Sequence, residues 1–194
     1  MIPAVLEGDL DIPLAKRPLA LVHLELGTIY GRSGKGWLDQ NLARYNAAAR
    51  HARWFGMRDL DSDAPCASEL VQSLLPHRAD AFCFRVPVRA AEAWLLADRE
   101  RIAEFLRVAP SLVPTQPELL ADPKLGMVNL ARRSRNRAIQ LDMVPAPRTT
   151  ARVGPGYTGR IVEFTLNHWR PRVAAHASLS LARCIAALER WADD

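Results

Sequence analysis

The chain has 194 residues, 49% of them hydrophobic, with a formal net charge of +5 and a pI of about 9.6. That length can bury one substantial core and favours one domain over two. No apolar run reaches membrane-spanning length, and the opening MIPAVLEGDLDIPL lacks the basic start of a signal peptide, so a cytoplasmic protein is expected. Cys66, Cys83 and Cys184 are too far apart to form a CxxC metal pair or a disulfide framework and read as small buried hydrophobes.

In chain order, the first half alternates strand and helix. Residues 4–7 form a short apolar strand ending in Glu7-Gly8. Residues 10–22 can be helical despite Pro13 and Pro18, and residues 24–30 give a second strand. The Gly-rich stretch 31–36 is a loop, followed by helical spacing of Leu38, Leu42, Tyr45 and Ala49 over 37–54. Residues 55–61 read as a third strand running into an acidic turn, and Pro65 opens a helix to residue 75. Residues 81–88 are the clearest strand and 89–107 the clearest helix. This alternation predicts an α/β fold, a Rossmann-like, mainly parallel sheet flanked by helices. Residues 108–158 hold seven of the 14 prolines and are expected to wrap the core as short helices and loops. Residues 159–192 read as helical and close on an amphipathic helix through Leu181, Ile185 and Leu188. The expected division is an α/β core over 1–107 and a mainly helical C-terminal extension over 108–194, packed on the same domain.

Charge is unevenly spread. Residues 1–100 carry 12 Lys+Arg and 13 Asp+Glu, a net of −1, whereas residues 101–194 carry 14 and 8, a net of +6. Acids beside a basic surface suit a phosphodiester substrate. The leading candidate is Asp59-Leu60-Asp61. On a strand, alternation turns Asp59 and Asp61 to one face, near the carboxyl edge where ligands bind in open α/β sheets. Two carboxylates so close call for a cation, and oxygen donors suit magnesium or manganese. Asp63 is explained as a helix cap. An EF-hand is excluded, because Ala64 and Leu70 stand where Gly and Glu are required. Glu7 closes the first strand and in a parallel sheet falls at the same edge. Asp9 and Asp11 fit the first turn of the following helix.

Together these residues resemble the Toprim domain, the fold shared by topoisomerases, bacterial primases and OLD-type nucleases. Further strings are similar to a Toprim-like family catalogued as domain of unknown function 4276: Arg85-Val86-Pro87, Ala91-Glu92-Ala93-Trp94-Leu95-Leu96-Ala97-Asp98, Gly154-Pro155-Gly156-Tyr157-Thr158, and the closing Ser178-Leu179-Ser180-Leu181-Ala182-Arg183-Cys184. The resemblance spans nearly the whole chain. It implies Glu7 as general acid/base, Asp59 and Asp61 as ligands of Mg2+ (or Mn2+), and an ATPase partner of the kind found in phage-defence operons. The chain departs from the family where Pro13 and Pro18 follow Glu7-Gly8.

Glu92, at the start of the helix after the fourth strand, is either a further metal ligand or catalytic acid/base, or a charge placed for the helix dipole or an ion pair with Arg89 or Arg85. Asp98 lies about 240° around that helix from Glu92 and reads as structural. The loop Gly31-Arg32-Ser33-Gly34-Lys35-Gly36 is not a Walker A motif, since Ile29 occupies the place of the first Gly and Gly36 that of Ser/Thr. Its amides, with Arg32 and Lys35, are candidates for binding substrate phosphate. Arg132, Arg133, Arg135 and Arg137 form a basic run that either tracks nucleic acid or is a solvated face. The five histidines show no metal-ligand spacing. The first expectation is therefore a metal-dependent nuclease. Its alternatives are a non-catalytic or conditionally active partner subunit of an ATPase, and a phosphatase with Asp59 as nucleophile.

Overall fold

The computed structural model describes residues 1–193. Contacts divide them into two compact units: Met1–Val88 with the chain from Ser180 onward, and Arg89–Leu179. This grouping differs from a boundary at residue 107. It returns the closing helix to the first unit and gives the helix after the fourth strand to the second.

The first unit is a four-stranded, all-parallel sheet flanked by helices, as expected. Its strands are β1 (Ile2–Leu6), β2 (Leu26–Gly31), β3 (Trp54–Met57) and β4 (Phe82–Arg85), in the order β2-β1-β3-β4. The connecting helices are α1 (Asp11–Leu21), α2 (Lys35–Ala48) and α3 (Ala67–Leu74). The side chains of β1, β3 and β4 are buried in near-continuous runs, the pattern of a sheet covered on both faces, whereas the edge strand β2 is only partly buried. Val5, Phe82 and Phe84 pack with Leu38, Leu42 and Tyr45 of α2 and Leu70 of α3 in one apolar cluster. Gly56 of β3 admits these rings, because a Cβ there would sit 2.7 Å from Phe84 and 2.9 Å from Phe82. On α1, Leu14, Ala15 and Leu19 are buried. Pro13 falls in the first turn, where the helix needs no amide, but Pro18 lies inside it. The helix forms with both prolines within it.

The order β2-β1-β3-β4 places β1 between two parallel neighbours reached by crossovers of opposite direction. Such a reversal is a switch point, and the crevice above it, at the carboxyl ends of the strands, is the ligand-binding place of open α/β sheets. Residues that follow β1 and β3 directly therefore flank it.

The second unit is built from helices and short 3-10 turns. It comprises α4 (Glu92–Leu96), α5 (Arg99–Leu106), two 3-10 turns (Pro110–Leu112 and Pro117–Leu119), α6 (Pro123–Arg132), α7 (Arg137–Met143), α8 (Tyr157–Asn167) and α9 (Pro171–Ala174). Trp94, Trp169, Tyr157 and Phe164 form its fully buried aromatic core, and the Trp169 indole N–H donates to the Trp94 carbonyl at 3.2 Å. The single helix expected over 89–107 is two helices. Asp98 leaves the helical region at ψ 69°, and its wholly buried carboxylate accepts from the Arg170 backbone amide at 2.9 Å and its guanidinium at 2.6 Å. Asp98 is thus structural, as its position suggested. Gly154 and Gly156 have amides bonded to Met143 and Asp142, so close that a Cβ on Gly154 would collide with the Asp142 carbonyl. The last helix, α10 (Leu179–Asp193), carries the buried Leu181, Cys184 and Leu188 into the first unit, and Ser180 accepts from the Val88 amide at 3.4 Å. Among the described residues, no helix is long and apolar enough to cross a membrane.

Candidate functional site

The carboxyl edge of the sheet gathers polar groups from the three loops that follow β1, β2 and β3. β1 ends at Leu6, directly paired with Gly31 of β2 and Met57 of β3. Glu7 therefore emerges at the edge, and its Oε2 accepts from the Asp59 backbone amide at 3.3 Å. Chain segments 52 residues apart are thereby joined across the switch point. Burial, the largest effect, raises the Glu7 pKa; the Asp59 amide opposes it, and the Asp61 charge raises it further.

Asp59 and Asp61 are not on the strand. β3 stops at Met57, and the pair lies in the following loop. The loop nevertheless keeps contact with the next strand. Arg58 donates its amide to Arg85 at 3.2 Å and Leu60 donates to Pro87 at 3.0 Å. Leu60 is buried, and its two aspartate neighbours are partly exposed. Asp61 has φ +50°, a left-handed conformation that aspartate tolerates better than most residues.

The residue that organises this loop is Arg58, which the sequence reading passed over. Its side chain is 3% exposed. Nε and Nη2 grip both oxygens of Asp39 at 3.1 and 2.9 Å, Nη1 donates to the Asp59 carbonyl at 2.6 Å, and Nη2 meets Asp63 at 2.7 Å. Burial alone would lower the Arg58 pKa, but the hydrogen bonds it donates to Asp39 and Asp63 outweigh that and raise it. Asp63 is accordingly not a helix cap. α3 begins two residues beyond the expected Pro65, after Cys66, without a capping side chain.

Lys35 is committed to the acids. Its ammonium lies 2.7 Å from Asp61 and 2.9 Å from Asp63. The hydrogen bond from Lys35 is the chief reason the Asp63 pKa is lowered. Arg32 is also engaged, at 3.3 Å from Asp9, in an exposed pair. The loop between β2 and α2 is not an open anion cradle, because the Arg32 amide donates to the Leu6 carbonyl and the Gly34 amide to the Glu7 carbonyl. Gly31 must be glycine at φ +87°, where a Cβ would strike the Leu6 carbonyl. These bonds bind the loop to the end of β1.

Glu92 belongs to the second unit. It is 4% exposed, accepts from the Tyr157 hydroxyl at 3.1 Å and lies 3.6 Å from the Lys124 ammonium. Those partners replace the arginines expected from the sequence. Burial and the Glu92 charge push the Tyr157 hydroxyl pKa far up, so Tyr157 remains a donor at ordinary pH.

Five acids at the edge (Glu7, Asp39, Asp59, Asp61, Asp63) thus face two bonded cations, Arg58 and Lys35. The donors are all oxygen, the excess charge is negative, and burial disfavours charge on Glu7, so a hard divalent cation suits the set chemically. The side chains are not pre-assembled around such an ion. Among the described residues no group of three His, Cys, Asp or Glu is gathered closely enough to hold one, and Lys35 occupies an oxygen of Asp61. Comparisons with protein-family models, with curated proteins and with solved structures return no significant match to this chain.

Proposed function

We propose that the cluster at the carboxyl edge of the sheet is a divalent-metal site for phosphodiester cleavage, and that the protein is a Toprim-like nuclease. The carrying observation is the hydrogen bond from the Asp59 amide to Glu7, which joins the loops after β1 and β3 at the switch point. Asp59 and Asp61 would hold Mg2+ or Mn2+, which when bound supplies a positive charge against the phosphate and a more acidic water. Glu7 would move the proton, since a carboxyl raised by burial is better matched to proton transfer near neutral pH. Arg58 holds the loop that presents both aspartates, and its bidentate grip on Asp39 fixes that loop to α2. The Toprim-like assignment itself rests on the sequence strings from Glu7-Gly8 to the closing Ser-Leu-Ser-Leu.

A second reading, a conditionally active partner of an ATPase, draws support from Lys35. Its ammonium holds one oxygen of Asp61 and so competes with a metal for that carboxylate. A partner that draws Lys35 away would switch the site on.

Two measurements test the proposal. Mn2+ binding, followed by electron paramagnetic resonance, should be lost in Asp61→Ala and weakened in Asp59→Ala. Plasmid DNA and total RNA incubated with and without Mg2+ should be cut only with the metal and only by the unmutated protein. Cleavage that survives Asp59→Ala, or Mn2+ binding indifferent to both aspartates, would remove the proposal.

A further inference from the structure

The second unit carries 14 Lys+Arg against 8 Asp+Glu, a net of +6, and 13 of the 14 are arginine. The partners of its acids show where the surplus lies. Asp98 and Glu100 are taken by Arg170, Asp142 and Glu163 by Arg160, Asp122 by Arg152, Glu104 by Arg101 and Glu92 by Lys124. Glu118 accepts from Ser178 at 2.6 Å. Every acid of the unit is thus engaged without Arg107, Arg132, Arg133, Arg135 or Arg137. Among the described residues none of these five makes an ion pair, and all five are exposed.

The five line two clefts within this unit. Arg107, Arg135 and Arg137 line one of about 850 Å3, and Arg132 and Arg133 line another of about 450 Å3. Their backbone is fixed. The Arg135 amide donates to the Arg107 carbonyl at 3.2 Å, and Asn136 caps α7 through the Ala138 amide at 2.9 Å. Arg107 ends α5 in the left-handed region at φ +54°, where glycine is the usual residue and a side chain costs about 1 kcal/mol.

We infer that these five arginines, in and between the two clefts, bind the sugar-phosphate backbone of double-stranded nucleic acid without reading its sequence. Guanidinium groups fit phosphate oxygens in pairs, and uncompensated positive charge set against a polyanion releases its counterions. Neither cleft is lined by an aromatic residue. That disfavours a single strand, which relies on stacking platforms, and a protein partner, which anchors on buried aromatic hot spots. The inference leans on the proposed nuclease reading for why such a ligand is wanted, but not for the charge accounting itself.

The test is fluorescence anisotropy of a short labelled DNA duplex with the full chain in EDTA, where the metal site plays no part. The quadruple variant Arg132→Gln/Arg133→Gln/Arg135→Gln/Arg137→Gln should bind roughly tenfold or more weakly, with a shallower salt dependence by about 0.9 per contact removed. The matching quadruple Arg→Lys variant should retain most of the binding, and thermal melting checks that both fold. Equal affinity of the glutamine variant and the parent would overturn the inference. So would binding of a single strand or of polyglutamate as tightly as the duplex. Hydrolysis of bis(p-nitrophenyl) phosphate with Mn2+ reads the metal site alone, so failure of either idea leaves the other standing.

Discussion

The two units handle charge in opposite ways. In the second, every acid has found a partner, usually a base, and the unmatched charges are arginines on the surface. In the first, acids outnumber bases at the edge of the sheet, and two cations are each shared between carboxylates. A buried, saturated pair such as Asp98–Arg170 is architecture. An over-supplied cluster whose cation is shared and half exposed, as Lys35 is, can exchange that cation for another. The contrast separates acids held by a partner of their own from acids that share their cations, a distinction that residue type alone does not make.

The largest expected effect tests the saturated side. Asp98→Ala would strip Arg170 of its main partner and leave a void where the carboxylate took the Arg170 amide. Removing one member of a buried pair costs about 3–5 kcal/mol, and partial exposure of Arg170 puts this case at the lower end. Urea denaturation measures it. A loss below about 1 kcal/mol would mean that this pair is no more structural than a surface bridge.

Arg58→Ala comes next, because Arg58 belongs to the over-supplied cluster yet behaves like the saturated pair. It should cost about 2–4 kcal/mol, since Asp39 would lose its bidentate partner and the Asp59 carbonyl its donor. Arg58→Lys should recover only part of this, because an ammonium cannot span both Asp39 oxygens and Asp63 together. Full recovery by lysine would reduce Arg58 to a point charge.

These two residues also mark what the sequence could reveal. The alternation of strands and helices, the apolar β4 and the helical closing segment were legible because they depend on neighbours in the chain. The pairing of Glu7 with the Asp59 loop was legible in outline, since parallel strands bring their carboxyl ends together. The end of β3 at Met57 was not, because Arg58 turns to Asp39, 19 residues earlier. Nor was the break at Asp98, whose partner is 72 residues away. Nor were the acidic partners of Lys35 legible in its Gly-rich loop, since they lie 26 and 28 residues further on. Each miss is a long-range charge pairing, which no local pattern encodes.

Lys35→Met sharpens the contrast directly. If the ammonium competes with a metal for Asp61, its removal should tighten Mn2+ binding several-fold, on the order of 1 kcal/mol for losing one partly exposed pair. Weaker Mn2+ binding would instead make Lys35 a support for the site.

The smallest effect concerns Glu7. Its pKa is raised in the folded protein, chiefly by burial, so the folded state binds a proton more readily than the unfolded chain does. Below the ordinary carboxylate range both states are protonated and the group contributes nothing. As pH rises through the raised folded value, the unfolded chain has already ionised while the folded protein must bury a charge, and stability falls. Glu7→Gln removes that penalty and still offers an oxygen to the Asp59 amide. The variant should therefore melt a degree or two above the parent at neutral pH, with the difference vanishing in acid. It should also lose any metal-dependent cleavage. Higher stability with lost activity is the signature of a carboxyl kept for chemistry at the expense of the fold, whereas a variant destabilised at neutral pH would place Glu7 with Asp98 among the structural acids.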